Sequence, residues 1–396
     1  MAALNPFVWD RPVEDPSKIV GMEPFAHEVA LVLKGQTNVS LFGARDTGKT
    51  TFTTQLALAL AKDHGPDAPP FDVIRVNLQR VLSLPGFIGC IHDALTSHPD
   101  KRLRRAAQRQ MSVLEKEIGF DIKVIKGGVK RTGITPEQDA ETLHAQLLAM
   151  RSVSDHLVVV FDEFQRLRRC PGEPLTLIRS ALMSTGAGHV SLLFTGSIRN
   201  ALRMMLEDSE QPIFGEAAQM QLPVIDRVDF LEYLDFQFEA TGRPADEAAL
   251  DHLMAVTGGH PRRTQQLAWE AWNAAIGGGG VDVATVIACH ERLVQSIERS
   301  EFSSAIQLLA NGDEAEFNEL RALQLLADRG GDNVTSRELA VLYGFSSHSR
   351  VPTALERLRG RGLVDQRADG WYIVDPLFGE WLSRHSPLGN IRERER

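Results

Sequence analysis

Residues 43–50 read Gly-Ala-Arg-Asp-Thr-Gly-Lys-Thr, and no other stretch limits the fold of this chain as strongly. The pattern is G-x-x-x-x-G-K-[ST]. Apolar Val39, Leu41 and Phe42 stand before it, and a helix-forming run from Thr51 to Ala61 follows. Strand, glycine turn and helix in that order build a phosphate cradle. Glycines let the backbone curl until its N–H groups converge, and the helix N-terminus adds partial positive charge. Gly43, Ala44, Arg45, Asp46, Thr47 and Gly48 are therefore the candidate cradle. Lys49 is placed for β- and γ-phosphates and the Thr50 hydroxyl for Mg²⁺, with Thr51 next to them.

A second motif completes the first. Residues 157–165 read Leu-Val-Val-Val-Phe-Asp-Glu-Phe-Gln. A continuous β-branched run is the signature of a strand buried on both faces. It ends in two acids at the carboxyl edge of the sheet, where open α/β folds bind ligands. Phosphoryl transfer divides the labour between such acids: Asp162 for the metal, Glu163 for the attacking water.

Strand candidates at 38–42, 72–77, 157–161 and 191–195 alternate with helical patterns up to about residue 225. Such alternation predicts an α/β fold with a parallel sheet covered by helices. Residues 226–300 read as helices, with a Gly run at 277–280 as a loop. The expected division is a core over 1–225, a helical lid over 226–300 and a third domain over 301–396.

Within that third region, Phe317 to Asp328 is amphipathic and Thr335-Ser336-Arg337-Glu338 opens a second helix with a capping signal. Gly344 and Phe345 make a turn, and Pro352 marks the first turn of a third helix ending near Arg359. Strands at 362–364 and 371–373 flank residues 368–370. This order is a winged helix-turn-helix, whose third helix enters the major groove when it binds DNA. Ser347, His348, Arg350 and Thr353 lie where base edges would be, and Arg357, Arg359, Arg361 and Arg367 could reach phosphates.

The chain carries a net charge of −9, which excludes a uniformly basic nucleic-acid coat but not a local patch. One such patch is present. Residues 101–131, inside an insertion over about 95–140, hold ten Lys and Arg, Arg102, Arg104, Arg105 and Lys130 among them, against Glu115, Glu117 and Asp121. Phe120 to Lys130 alternates around Gly127-Gly128 and predicts a hairpin. The three cysteines, Cys90, Cys170 and Cys289, show no paired spacing, so a reducing, cytoplasmic setting is expected. No stretch has the apolar length of a membrane span.

The paired nucleotide motifs resemble those of AAA+ P-loop ATPases, in particular the initiator (Orc/Cdc6-like) and archaeal-type branches. Asn5-Pro6-Phe7 and Ile19-Val20-Gly21 are similar to the N-terminal segment that contacts adenine there. Ser191 to Ser197 resembles the sensor-1 strand, which puts Thr195 or Ser197 near the γ-phosphate. Residues 258–263, Gly-Gly-His-Pro-Arg-Arg, resemble the start of the lid helix, with Arg262 as the sensor-2 cation. Asp375-Pro376-Leu377-Phe378 and Trp381 resemble the closing motif of archaeal-type ATPases. The resemblance implies ATP and Mg²⁺ as ligands, hydrolysis to ADP and phosphate, an ATP-dependent homo-oligomer, and DNA as partner. One position departs from it: Glu216 stands where relatives carry an arginine that acts on a neighbouring subunit's nucleotide. Arg199, Arg203 or Arg227 could substitute. The departure favours a rival reading, a slow switch whose nucleotide state opens the lid to a protein partner.

Overall fold

The structure, a computed structural model, describes residues 4–62, 71–118, 136–151, 153, 154, 156–183, 189–196, 202, 205, 206, 208–275, 279–296, 301–367 and 370–385. The chain divides into two compact units. One comprises Met22–Gly43 and Lys49–Pro223; the other comprises Met1–Gly21, Ala44–Gly48 and Val224–Arg396.

The first unit is built on five parallel strands: β1 (Asn38–Phe42), β2 (Asp72–Asn77), β3 (His156–Asp162), β4 (His189–Gly196) and β5 (Ala217–Gln221). Their order across the sheet is β2-β3-β4-β1-β5. Leu157 to Phe161 are fully buried, so β3 is covered on both faces as its β-branched run requires. Four of the strands coincide with the predicted ones. The fifth, Ala-Ala-Gln-Met-Gln, is not among the predicted strands, because it lacks a β-branched run and lies half-exposed at the sheet edge. It is held by backbone pairing to β1, from Asn38↔Ala217 to Phe42↔Gln221. One side chain reinforces both borders of β1: Asn38 donates to the Glu216 carbonyl (2.9 Å) and accepts from the Leu192 amide (2.8 Å).

The helices of this unit are α1 (Glu23–Lys34), α2 (Lys49–Lys62), α3 (Leu84–Thr96), α4 (Lys101–Ile118), α5 (Pro136–Arg151) and the short α6 (Pro174–Ile178). Ser83 caps α3, accepting from the Gly86 amide at 3.3 Å. Helix α4 buries Leu103 and Ala107 in the core and leaves Lys101, Arg105 and Arg109 exposed. Their spacing of four residues places them in one row along the helix. The hairpin expected at 120–130, with Lys130, lies outside the described residues.

The second unit is helical: α7 (Arg227–Ala240), α8 (Glu247–Thr257), α9 (Pro261–Ala274), α10 (Val283–Ser296), α11 (Glu301–Ala310), α12 (Glu314–Arg329), α13 (Arg337–Leu342), α14 (Arg350–Arg361), the hairpin β6 (Val364–Arg367) and β7 (Gly370–Ile373), and α15 (Pro376–His385). A single apolar core runs from Phe7 and Val20 through Phe230, Leu253, Leu323 and Leu355 to Phe378 and Leu382. Asp313 and Glu316 form a complete capping box at the start of α12, and Ser336 caps α13 through the Leu339 amide. Gly344 turns the chain with φ +75°. The hairpin starts later than the predicted 362–364. Gly362 adopts φ +75° and terminates α14, so the first paired residue is Val364, opposite Ile373. No helix among the described residues is long and apolar enough to cross a membrane.

Candidate functional site

In the sheet unit, β1 ends at Phe42 and α2 begins at Lys49. The Lys49 side chain is buried, and its ammonium donates to the Gly43 carbonyl at 2.7 Å. A buried lysine needs such acceptors, because an isolated ammonium out of water is costly. The Thr50 hydroxyl, one residue on, donates to Asp162 Oδ2 at 3.0 Å.

Asp162 ends β3 and is 8% exposed. Its other oxygen, Oδ1, accepts from the fully buried Thr195 hydroxyl (2.5 Å) and from the Glu163 amide (3.1 Å). The first turn of α2, β3 and β4 thus meet at one carboxylate, although Thr50 and Asp162 are 112 residues apart. Of the two sensor-1 candidates, Thr195 is in this cluster; Ser197 lies outside the described residues. A hydroxyl and a carboxylate side by side are hard oxygen donors. They suit Mg²⁺, which takes one or two protein oxygens and keeps water for the rest. The donor set therefore fits the expected metal.

Glu163 follows in the left-handed region, at φ +59°. Non-glycine residues seldom adopt that conformation, and surrounding structure must hold them there. Here Phe164 is fully buried against Phe194 (ring centroids 4.4 Å) and Phe161 (5.9 Å). Gln165 then folds back, and its Nε2 donates to Glu163 Oε2 at 2.5 Å. Sequence reasoning missed this hydrogen bond. The available signal was a polar amide two residues after the acid, between Phe164 and Arg166.

In the helical unit, residues 44–48 supply the middle of the glycine loop. Thr47 donates to the Ala44 carbonyl at 2.8 Å, and Gly48 takes φ +93°. Asp46 also has a positive φ, +63°, where a glycine would be relaxed. Its Oδ2 pairs with Arg262 Nη1 at 2.7 Å, and the Arg262 guanidinium stands 5.9 Å from the Trp9 ring centroid. Arg45 is exposed, and Thr51, on α2 of the sheet unit, is half-buried.

Arg262 and Arg263 are neighbours with opposite fates. Arg262 keeps about a third of its side chain exposed, whereas Arg263 is buried and locked to Asp375 by three hydrogen bonds of 2.6–3.1 Å. Between loop and helix, His260 caps α9, its Nδ1 accepting from the Arg263 amide. Burial holds the His260 pKa below its ordinary value, against the opposing pull of the Asp375 and Asp46 carboxylates. The N-terminal segment is equally fixed: Asn5 donates to the Trp269 carbonyl (3.0 Å) and Asn273 (3.2 Å), and Phe7 packs on Phe238. Ile19 is half-buried and Val20 is buried in the same core.

The arginines singled out for nucleic acid are placed unequally. Arg102 is paired with Asp72, and Arg104 donates to the His98 carbonyl. Arg105 is exposed. On α14, Arg350 is exposed beside Ser347, His348 and Thr353. Arg357 and Arg361, by contrast, both pair with the fully buried Glu319 at 2.6 Å, and Arg359 pairs with Glu356 at 2.8 Å. Arg367 stacks on the Tyr372 ring at 4.0 Å. Glu216 pairs with Arg179 at 3.1 Å, and Arg227 with Asp251. Arg199 and Arg203 lie outside the described residues.

Comparison with known proteins agrees with this architecture. Residues 316–384 match a family described as a probable winged helix domain. Among solved structures, the chain is similar to a Walker-type ATPase of Pyrococcus abyssi at 17% identity and a TM-score of 0.64, over 94% of this chain and 98% of that one. It is similar also to the Aeropyrum pernix ORC2 protein in its ADPNP–ADP complexes, at 17% identity and a TM-score of 0.55, over 98% of this chain and 99% of that one. The ADP form of that protein matches at 17% identity and a TM-score of 0.54, over 98% and 97%. No curated protein matches the sequence.

Proposed function

We propose that this chain, whose fold is that of the AAA+ P-loop ATPases with a C-terminal winged helix, binds ATP with Mg²⁺, hydrolyses it to ADP and phosphate, and couples nucleotide state to DNA binding and self-assembly in the cytoplasm. The observation that carries the reading is the convergence of Thr50, Thr195 and the Glu163 amide on buried Asp162, next to a lysine held at the end of a glycine loop.

In this reading the backbone of residues 43–48 cradles phosphates, Lys49 neutralises them, and Thr50 with Asp162 holds the metal. The chemistry Mg²⁺ supplies when bound is charge neutralisation on the β- and γ-phosphates. Glu163 orients a water and accepts its proton as the new oxygen–phosphorus bond forms and the bond to the ADP oxygen breaks. Thr195 and Arg262 sense the γ-phosphate, Ser197 is a further candidate for that role, and Ile19 and Val20 border the base. Residues 1–225, 226–300 and 301–396 act as core, lid and winged helix.

DNA retention falls to the row Lys101, Arg105 and Arg109 on α4, with Arg350 on α14. Arg102 is a poor probe, because a glutamate there would face Asp72. Replacing Arg105 and Arg109 with Glu is expected to weaken duplex binding and to flatten the salt dependence, by about one unit of slope for each phosphate no longer neutralised. Fluorescence anisotropy with a labelled duplex at several salt concentrations measures both. Unchanged affinity and slope in that variant would remove α4 from the DNA surface. For self-assembly, sedimentation velocity should show larger species with ATP than with ADP or no nucleotide; identical profiles would count against it.

A second reading has specific support. Glu216 pairs with Arg179 where an arginine finger would stand, and Glu319 consumes two arginines of α14. Both favour a slow nucleotide-gated switch with the winged helix as a protein-binding module. ATP turnover with and without a DNA duplex separates the two: stimulation supports the first, and tight ATP binding with slow, DNA-independent turnover supports the second.

A further inference from the structure

We propose that Gln165 is the positioning residue of Glu163, and that position 196 is glycine because the Gln165 carboxamide lies against it. The inference rests on the ATPase reading, in which Glu163 orients water.

Three observations carry it. First, Gln165 Nε2 donates to Glu163 Oε2 at 2.5 Å, and Gln165 itself is 8% exposed. A hydrogen bond to a carboxylate in so enclosed a place fixes both the rotamer and the plane of the acid. Second, the turn between the two residues is rigid. Glu163 sits at φ +59°, Phe164 is locked between the rings of Phe161 and Phe194, and the Arg166 amide donates to the Glu163 carbonyl at 3.0 Å. Gln165 is therefore delivered back toward Glu163 by the backbone rather than by a long flexible reach.

Third, a Cβ added to Gly196 would collide with Gln165 Oε1 and lie 3.3 Å from its Cδ. Gly196 is not in the left-handed region, so its φ does not call for glycine. Space does. Gly196 directly follows Thr195, which donates to Asp162. Gln165 thus spans from the end of β4, one residue past the γ-phosphate sensor, to the water-orienting acid.

The residue type fits the task. A primary amide donates to the carboxylate without cancelling its charge. Lysine or arginine would neutralise the group that must take a proton, and glutamate would repel it. Asparagine is one methylene shorter and would not span the gap.

The test is steady-state ATP turnover of full-length wild type, Gln165→Ala, Gly196→Ala and the double variant, with the affinity of a fluorescent ATP analogue measured alongside. Gln165→Ala is expected to lower kcat about tenfold, since misplacing a reacting group by a fraction of an ångström to one ångström costs that much or more. KM and analogue affinity should stay within about a factor of two, because Gln165 serves a step after binding. Gly196→Ala should reproduce the loss while folding normally, because the atoms it meets, in Gln165 and at Leu202 Cδ2, are ends of side chains and not backbone, and the displaced Gln165 gives up its hydrogen bond to Glu163. The double variant should be no slower than Gln165→Ala alone, since the two changes remove one and the same interaction.

A wild-type kcat in Gln165→Ala overturns the proposal, as do multiplicative losses in the double variant or a fall in affinity that matches the fall in rate. A rise in kcat overturns it as well, by showing that Gln165 restrains Glu163 instead of aiming it. The control Glu163→Gln separates the levels: if that variant hydrolyses ATP like wild type, the role of Glu163 fails and the proposal falls with it; if only Gln165→Ala is silent, the ATPase reading stands.

Discussion

Glu163→Gln is expected to abolish measurable ATP turnover while ATP remains bound. Glutamine keeps the size of the side chain and can still meet the Gln165 carboxamide, but it cannot take a proton from water. General-base assistance is worth about 10²–10⁴ in rate, so the fall should be of that order. In the proposed reading binding should persist, because the phosphate contacts assigned there to the loop, to Lys49 and to the Thr50–Asp162 pair are not altered. A nucleotide-retention assay together with phosphate release reads both sides. Full turnover in the variant would mean that a group other than Glu163 activates water. The baseline matters for the size of the window. An arginine finger contributes about 10³–10⁵ to kcat, and Glu216, paired with Arg179, cannot act as one. The wild-type rate is therefore expected to be slow unless Arg227 or another cation serves.

Asp375→Ala is expected to cost more stability than the loss of any exposed ion pair in the chain. Its carboxylate accepts three hydrogen bonds from buried Arg263 and also caps α15 through the Leu377 and Phe378 amides. Truncation would strand a guanidinium whose remaining acceptor in this cluster is Gln266 Oε1, at 2.5 Å. Removing one partner of a buried pair costs about 3–5 kcal/mol. For a unit of this size the melting temperature should drop by roughly 10 °C. Asp251→Ala is the matched contrast. Its partner Arg227 and Asp251 itself are both half-exposed, and solvent screening should limit the loss to less than about 1 kcal/mol. Differential scanning calorimetry on both variants tests the comparison. Equal shifts would show that burial does not set the cost at Asp375.

Much of the site was legible in the chain because its parts are local. The glycine loop and the Asp-Glu pair each fit within a few residues, and the parallel order of β1, β3 and β4 brings their carboxyl ends together without further instruction. What could not be read depends on long separations or on backbone conformation. The Asp46–Arg262 pair joins residues 216 apart. The hydrogen bond between Gln165 and Glu163 closes a turn in which Glu163 has a positive φ, a conformation that the residue type does not announce. Arg357 and Arg361 look like free cations in sequence, yet a buried glutamate 38 positions from Arg357 in the chain claims both. Strand β5 carries no signal in its residue types, because edge pairing, not side-chain chemistry, makes it a strand.

The order in which the molecule can be completed follows from the course of its second core. Phe7 and Val20 belong to a core whose other members begin at Phe230 and end at Leu382, and Asn5 donates to a residue 268 positions downstream. On the ribosome, Phe7 and Val20 therefore meet the other members of that core only after residue 230 has been made. The sheet unit, carried almost wholly by Met22–Pro223, has its strands available first. Domains tend to fold as units during synthesis, N-terminal parts first. Residues 1–21 depart from that order, since the core that Phe7 and Val20 join is otherwise built from residues 230–382, and the loop residues 44–48 group with the same unit. In a chain ended before residue 224, Asp46 of that loop would lack the partner it finds in Arg262.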